Sequence, residues 1–253
     1  MLATAPETAP RNRLLAALPA EDLARLRPKL KLVELELRQN LAVSEQRIEH
    51  VYFFETGWAS VLAPLDDGDS AEVGLAGVEG MASWPVSLGD DIAEFEVMVQ
   101  CAGTAWRLTT ADFRDALEAS AALRDLMLRF LLTQHSQIAW TAACNGRHNI
   151  EQRLARWLLM AHDRSEGETF PITHEFLSMM LGVRRAGVTV AAGSLQRAGM
   201  IRYGGGRMTI TDRPGLEASC CECYSSARRA QERLFRPQAG ATGADRQGSS
   251  SPP

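Results

Sequence analysis

One segment, residues 172–210, constrains the fold of this chain more than any other. It reads ITHEFLSMMLGVRRAGVTVAAGSLQRAGMIRYGGGRMTI. Thr173 precedes an apolar-periodic stretch and is placed to accept hydrogen bonds from the free amides of a helix over 174–181. Gly182 follows and supplies the left-handed backbone conformation of a tight turn. These signals predict a short helix that turns sharply into the next element.

A second helix is predicted over about 185–198, and Gly199 is a suitable residue to end it. Two β-forming runs follow, 200–203 and 207–210, separated by the glycines at 204–206. Helix, glycine turn, helix, glycine stop and β-hairpin is the order of elements in a winged helix-turn-helix. The segment is therefore predicted to bind DNA, and the alternative is a small helical packing unit with solvated arginines.

The outward residues of this motif predict how it meets DNA. Arg185, at the start of the second helix, is placed to bond guanine N7 and O6 in a major groove about 12 Å wide. Arg202 and Arg207 in the hairpin are predicted to contact phosphates, which position a protein without reading sequence. The complete set of predicted DNA contacts is Thr173, Arg184, Arg185, Ala186, Thr189, Ser194, Arg197, Arg202 and Arg207.

The distribution of charge supports a nucleic-acid partner for the C-terminal part only. The whole chain has a net charge of −4, but residues 1–146 have a net charge of −9. Residues 147–213 contain ten arginines, no lysine and six acidic residues, a net charge of +4. Exposed charges more than about 10 Å apart are largely screened, so the local charge of the docking face decides phosphate contact.

The N-terminal half has a different texture. Short helices are predicted within 13–32, where apolar positions are interrupted by prolines. Residues 33–108 then contain short β-forming runs divided by glycine and aspartate, such as 50–62 and 94–108. Turn signals at intervals of roughly 8 to 12 residues predict an antiparallel barrel or sandwich.

A long helix is predicted between these two parts. Thr110 is placed to cap it, so that the helix starts at about Ala111. An apolar seam on a long helix that connects two domains is typical of a dimer interface, and the alternative is that this face packs on the chain's own barrel. The predicted dimer seam consists of Leu123, Met127, Phe130, Gln134 and Ile138.

With the motifs ITHEFLSMMLGVRR and LQRAGMI, the chain resembles the Crp/Fnr family of bacterial transcription regulators over nearly its whole length. The resemblance implies an α+β fold in which a cyclic-nucleotide-binding-like jelly roll is joined by a dimerisation helix to a winged helix-turn-helix. It also implies a homodimer that binds double-stranded DNA and contacts RNA polymerase. By position, Arg185 matches the family's guanine-reading arginine. Ala186 and Val190 replace an acidic and a basic contact residue, so a different half-site is expected.

These observations together predict the domain organisation of the chain. The predicted parts are a disordered N-terminus at 1–12, a sensory roll at 13–110, a dimerisation helix at 111–146, a DNA-binding domain at 147–213, a helical extension at 214–235 and a disordered tail at 236–253.

The predicted sensory roll departs further from the family. Gly80-Met81 stands where members that bind cyclic AMP have Gly-Glu, and 90–99 offers four acidic residues and no arginine to a phosphate. We therefore expect an unidentified effector other than a cyclic nucleotide, and no cofactor. Gly80, Met81 and Trp84 are candidates for its pocket, although Trp84 is also a candidate core residue. A constitutive DNA binder with a structural roll, and an adaptor that binds a protein partner, are the alternatives.

The cysteines Cys220, Cys221 and Cys223 suggest a metal- or redox-responsive regulator as a further alternative. They lack a fourth ligand at a recognisable spacing, so no metal site is predicted and packed or exposed thiols are expected. No cysteine precedes Cys101, which argues against the N-terminal cysteine set of family members that sense oxygen through an iron–sulfur cluster.

Several classes of protein are excluded because the motifs typical of them are missing. The chain lacks a nucleophile elbow, a phosphate loop and paired catalytic carboxylates, so no catalytic residues and no enzyme activity are predicted. No apolar stretch approaches the roughly 18 to 20 residues of a membrane span, and the first residues lack the order of a secretory signal. Five cysteines, an odd number, do not indicate an extracellular disulfide framework. A cytoplasmic protein without membrane contact is expected.

Overall fold

The computed structural model of the protein describes residues 9–66 and 68–236. The helices are α1 (Arg13–Ala16), α2 (Ala20–Leu26), α3 (Thr110–Ala119), α4 (Ala121–Arg147), α5 (Ile150–His162), α6 (His174–Leu181), α7 (Arg185–Arg197), α8 (Arg213–Ser219) and α9 (Glu222–Leu234). The strands are β1 (Lys31–Leu35), β2 (Asn40–Ala42), β3 (His50–Phe54), β4 (Trp58–Pro64), β5 (Ser70–Ala76), β6 (Met81–Ala82), β7 (Glu96–Cys101), β8 (Gly103–Thr109), β9 (Thr169–Pro171), β10 (Ile201–Gly204) and β11 (Arg207–Ile210). Short 3-10 helices lie at Arg27–Lys29 and Trp84–Leu88.

The N-terminal part is the predicted jelly roll. Its eight strands form two antiparallel four-stranded sheets, with the orders β1-β8-β3-β6 and β2-β7-β4-β5. Large apolar side chains such as Phe53, Phe54, Met81 and Phe113 fill its core and are at most 1% exposed. The antiparallel barrel or sandwich predicted from the β-texture and the α+β fold implied by the resemblance are therefore confirmed.

The predicted disorder of both chain ends lies mostly outside the described residues. It extends too far at the N-terminus, because Asn12 is fully buried. Its Oδ1 accepts hydrogen bonds from Leu14 and Leu15 and begins α1, while its Nδ2 donates to the carbonyls of Phe54 and Gly80. A buried amide with every group paired anchors the start of the roll.

The single long helix predicted to start at Ala111 is wrong in two respects. Its cap is Thr109, whose Oγ1 accepts from the amide of Asp112, while Thr110 points inward and donates to the carbonyl of Ile48. The helix is also divided at Ser120, which leaves the helical conformation and caps α4 by accepting from Leu123 N. A serine that bonds the following amides offers the backbone a local alternative to continuing the helix.

The predicted dimer seam is corrected by the packing of α4. Leu123, Met127 and Phe130 are each 1% exposed and belong to the core of the roll. They pack on the chain's own barrel, which was the alternative. A different stripe of α4 faces outward and includes Leu128 and Leu132, which are 60% and 68% exposed.

The winged helix-turn-helix is confirmed. Gly182, with φ of 58°, joins α6 to α7, and β10 pairs with β11 across Gly205 and Gly206, which both have positive φ. The stretch before the motif, for which no strand was predicted from the sequence, contains β9, which pairs with β11 and extends the hairpin to three strands. A strand of three residues is too short to show an alternation of apolar and polar side chains in the sequence. Its conformation is stabilised by the pairing with β11.

The helical extension predicted at 214–235 consists of two helices, α8 and α9. The break falls at Cys220 and Cys221, both in extended conformation. After the break, α9 packs along α4, and Leu234 near its end enters the core of the roll.

The roll and the helix-turn-helix domain, which begins at α5, share a second apolar core. In α5, every residue from Leu154 to Ala161 is buried, since this helix lies between β4 and β5 of the roll on one side and the helix-turn-helix on the other. Trp58 and Trp157 meet edge to face across this junction, with ring centroids 5.8 Å apart. Within residues 9–66 and 68–236, no helix combines the length and apolarity needed to cross a bilayer.

Candidate nucleic-acid interface

The helix-turn-helix is built by local signals at its two helix starts. Thr173 begins α6, and its Oγ1 accepts a hydrogen bond of 3.1 Å from Phe176 N. Arg184 precedes α7 in extended conformation, and its side chain forms no capping bond. The first amides of α7 consequently point outward with no side-chain acceptor among the described residues, which is the arrangement that favours an anion at a helix N-terminus.

The inner face of α7 holds the helix against α5 and α6. Val188, Ala191, Ala192 and Leu195 are all buried, as the apolar spacing indicates. Gly187 permits this close packing, because a Cβ at this position would lie 3.0 Å from Ile150 Cδ1. The side chains of the opposite face therefore project away from the domain.

That outer face, called the reading face below, contains most of the predicted DNA contacts. Arg184, Arg185, Ala186 and Thr189 are exposed, and Val190 beside them is 71% exposed. Farther along α7, Arg197 is exposed and Ser194 is half-buried. Sequence reasoning noted Val190 only as a departure from the family and missed it as a surface group of the reading face.

The fold divides nine of the ten arginines of residues 147–213 into an internal and a surface group, while Arg147 is exposed at the end of α4. Arg153 donates to the carbonyl of Leu181, Arg156 to Thr141, Arg164 to Glu79 and Arg213 to Asp163. Those of the reading face and wing form no ion pair within 4.0 Å in the described part of the chain. This surface group consists of Arg184, Arg185, Arg197, Arg202 and Arg207. Their charges are available to phosphates or bases.

His174 connects both helices to the wing, a role that the sequence did not indicate. Its ring stacks on Tyr203 with centroids 4.1 Å apart, and its Nδ1 lies 3.2 Å from Thr189 Oγ1. Since the Thr189 hydroxyl donates to Arg185 O, Nδ1 must donate to Thr189. Burial and the charge of Arg185 lower the pKa of His174, so the neutral ring is favoured. The histidine thus holds Thr189 in place.

Two hydrogen bonds between side-chain and backbone atoms also join the hairpin to the end of α7. Tyr203 N donates to Gln196 Oε1 at 2.8 Å, and Thr211 Oγ1 donates to Gly199 O at 2.7 Å. These bonds hold the hairpin β10–β11, the wing, against the C-terminal end of α7. Arg202 and Arg207 are exposed on the wing.

Beneath the interface, Glu72 of the roll reaches the DNA-binding domain. It accepts hydrogen bonds from Ser60 Oγ and from Trp157 Nε1, at 2.7 and 2.8 Å. Burial raises the pKa of this carboxyl to about 7, although both hydrogen bonds and the charges of Arg156 and Arg164 act to lower it.

The candidates for an effector pocket lie in the roll near α4. Met81 is fully buried in its core, and Trp84 is half-buried against the same core. The Phe130 ring lies over Gly80, where a Cβ would be 3.0 Å from its nearest atom. The three residues thus contact other parts of the chain, and their assignment to an effector stays a prediction.

Comparison with known proteins agrees with this architecture. Residues 152–219 match the family model of the Crp-like helix-turn-helix domain, while no curated protein matches the sequence of the chain. FixK2 from Bradyrhizobium japonicum aligns with a TM-score of 0.64 at 13% identity, over 76% of this chain and 98% of its own. A transcriptional regulator of the CRP family from Thermus thermophilus aligns with 0.61 at 17% identity, over 74% and 95%. A CRP/FNR-family transcriptional regulator from the same organism aligns with 0.57 at 16% identity, over 78% and 100%.

Proposed function

We propose that this chain is a dimeric transcription regulator of the Crp/Fnr family that reads a specific duplex DNA sequence. Its match to the Crp-like helix-turn-helix model and the similarity of its fold to regulators of that family support the proposal. The observation that carries the proposal is the outer face of α7, where unpaired arginines surround an uncapped helix N-terminus. An exposed, positively charged helix beside a β-wing has the shape and the charge to enter a major groove.

Base reading is assigned to the first two turns of α7. Arg185 is the residue that bonds guanine, since its planar fork matches the N7 and O6 acceptors. Val190 lies about one helical turn beyond Ala186, is 71% exposed, and is the apolar partner for a thymine methyl group. Ala186, a small residue between them, lets the helix approach the bases closely. These three residues define a half-site with a guanine near a thymine.

Phosphate contacts are assigned to the edges of this face. The free amides at the start of α7 and the side chain of Arg184 bind one phosphate group, since a helix N-terminus attracts anions. Arg202 and Arg207 bind the backbone from the wing, and Arg197 does so from the last turn of α7. Thr173 and Ser194 complete the predicted set from the flanks of the motif.

The proposed dimer forms through the outer stripe of α4. Its members lie at alternating spacings of four and three residues, as in a coiled coil. They are Leu128, Leu132, His135, Ala139 and Ala142, all exposed in the single chain, and Ile138 and Gln134 flank them. A helix of 27 residues is about 40 Å long, enough to hold two recognition helices one DNA turn apart.

The proposal also includes a response to an effector and contact with RNA polymerase. A change in the packing of the two α4 helices would move the recognition helices relative to each other and so change operator affinity. An effector that binds the roll near Gly80, Met81 and Trp84 would act through Phe130, because this residue of α4 lies against Gly80.

The test is selection of bound sites from random duplexes with the purified full chain, with and without cell extract. We expect a two-fold symmetric site with half-sites about ten base pairs apart, occupied by two chains. Enrichment only with extract would indicate an effector, and equal enrichment in both would identify a constitutive binder. A chain that binds no duplex at any salt concentration would disprove the proposal.

A further inference from the structure

A compact group of three cysteines and one histidine lies where the ends of two helices meet. Cys144 and His148 are at the C-terminal end of α4, and Cys221 and Cys223 are at the start of α9. Their four ligand atoms all lie within 4.8 Å of one another. No metal site was predicted from the sequence, because the C-terminal cysteines lack a fourth ligand at a recognisable spacing. The fold brings Cys144 and His148 to them from about 75 positions away.

The distances within this group fit the coordination of one ion. Ligands about 2.3 Å from a central zinc ion occupy the corners of a tetrahedron with edges of about 3.8 Å. Cys144 Sγ and Cys221 Sγ are 3.5 Å apart, and Cys223 Sγ lies 3.7 Å from His148 Nδ1. A cluster of several irons spreads its thiolates over a larger polyhedron, so the arrangement favours a single ion.

The two helix ends present these ligands without distorting the backbone. Cys144 lies in the last turn of α4, and His148, the first residue after the helix, donates its backbone N–H to the carbonyl of Cys144 at 3.0 Å, which keeps the two residues close. Cys221, the first residue before α9, and Cys223, in its first turn, face them, and all three cysteines are buried. Cys220 is excluded from the group, because its Sγ turns back and donates to the carbonyl of Cys221.

Groups around the site supply the interactions that metal ligands need. Glu222 Oε2 lies 3.4 Å from His148 Nε2, so the carboxylate would hold the ring with Nδ1 directed at the ion. Arg156 is only 4% exposed, and its charge reaches Cys144 as well as Glu72. Zinc with three thiolates and a neutral imidazole has a net charge of about −1, which would balance this buried guanidinium.

We propose that Cys144, His148, Cys221 and Cys223 form a structural binding site for one thiophilic divalent ion, of which Zn²⁺ fits best. On binding, the three thiols release their protons to solvent, three S–Zn bonds and one N–Zn bond form, and no electron is transferred. Cys221 and Cys223 lie beyond residues 152–219, the part that matches the helix-turn-helix family model. Cys144 and His148 lie before that part, so all four ligands are outside the helix-turn-helix domain, and the C-terminal extension contributes two of them.

The position of the site gives it a role in DNA binding, a step that rests on the proposed function. His148 and Asn149 are the whole connection between α4 and α5, which begins the DNA-binding domain. An ion that ties the end of α4 to the start of α9 would hold this connection in one conformation. Metal occupancy would then set the spacing of the two recognition helices.

The test is titration of the reduced, chelator-stripped full chain with Co²⁺, followed by displacement with Zn²⁺. We expect one Co²⁺ per chain, with the intense visible absorption of tetrahedral thiolate coordination and a thiolate charge-transfer band. Cys223→Ser and His148→Ala should lose or greatly change this spectrum, and Glu222→Gln should weaken metal affinity about 10- to 100-fold. Cys220→Ser is the matched control, since it removes a neighbouring thiol that is not a ligand, and should keep the wild-type spectrum.

The readout is independent of DNA, so its failure is distinct from failure of the proposed function. The proposal is overturned if the reduced wild type binds no Co²⁺, or if Cys220→Ser abolishes the spectrum. It is also overturned if the stripped chain only forms a Cys144–Cys221 disulfide on oxidation and takes up no metal. Should the ligand variants not fold, the wild-type titration and the Cys220→Ser control still decide. Operator affinity of the stripped and zinc-loaded chain then measures the coupling.

Discussion

Glu79 and Arg164 form a buried ion pair that joins the roll to the DNA-binding domain. Glu79 Oε1 lies 2.6 Å from Arg164 Nη2 and accepts from Nε at 2.7 Å. Glu79 follows β5, whereas Arg164 follows α5, and both are less than 10% exposed. Because the guanidinium also donates to Met160 O, the pair fixes the end of α5 against the roll.

Removal of one partner of this pair should destabilise the protein strongly. Glu79→Ala leaves the guanidinium buried without a counter-charge, and we expect the free energy of unfolding to fall by about 3–5 kcal/mol. The double variant Glu79→Leu/Arg164→Met should recover much of the loss. Urea unfolding measures both, and Glu232→Ala, which breaks the exposed pair with Arg228, should change stability by less than about 1 kcal/mol. If Glu79→Ala lowered the free energy of unfolding as little as Glu232→Ala, the buried ion pair would have no structural role.

Glu72 should make stability depend on pH near neutrality. Its pKa is raised from 4.5 to about 7 in the folded chain, so the folded state holds a proton that the unfolded state has released. The contribution of Glu72 to stability therefore falls as the pH rises from 4.5 to 7 and is constant above 7.

Glu72→Gln should remove this dependence, since the amide still bonds Ser60 and Trp157. Relative to the wild type, the variant should gain about 2 kcal/mol in free energy of unfolding between about pH 5.5 and about pH 8. Glu94→Gln, at an exposed position of the roll, is the control and should follow the wild type at each pH. A constant difference between Glu72→Gln and the wild type would show that this carboxyl does not titrate in the range.

Arg185 and Arg207 should have different roles on DNA. Arg185→Ala should cost about 1–3 kcal/mol and relax specificity at one base position, because it removes a bidentate guanine contact. Arg207→Ala should weaken all duplexes alike and lower the salt slope by about 1, because it removes a phosphate contact. Binding to an operator and to its single-base variants at several salt concentrations separates the two. Equal effects would refute the assignment of reader and positioner.

Val190 should recognise a thymine methyl group. Replacing the contacted thymine by uracil keeps every hydrogen bond and removes only that methyl, so wild-type affinity should fall by about 0.8 kcal/mol, the value of one buried carbon. Val190→Ser should bind the thymine and uracil operators equally. If the variant still discriminates between them, the methyl group contacts another residue.

The outer stripe of α4 should hold the dimer. Leu132→Glu places a charge in the proposed seam and should yield a monomer with weak operator binding, as measured by sedimentation. Leu88→Glu is the matched control, because Leu88 is similarly exposed, at 63%, but lies in the roll. Phe130 was predicted from the sequence to lie in the dimer seam but is buried in the roll. Phe130→Ala should therefore lower the free energy of unfolding by about 3–5 kcal/mol. A dimeric Leu132→Glu chain would exclude this stripe as the interface.

The sequence by itself determined the elements whose signals are local. The cap at Thr173, the turn at Gly182 and the two β-runs of the wing are properties of short stretches, so the helix-turn-helix was predicted almost to the residue. The β-texture of the roll was equally readable. In contrast, the break between α3 and α4 at Ser120 does not interrupt the helical spacing of the apolar residues, so the periodicity of the sequence did not reveal it.

Only the tertiary structure decided which side chains meet over long distances. Apolar residues occur on α4 in two stripes of similar spacing, and a period cannot tell which one faces the roll and which one faces outward. Likewise, Cys144 and Cys221 are 77 positions apart, and no local rule links them. Local propensity acts within a few residues, whereas packing selects among faces and partners through the area buried by the whole chain.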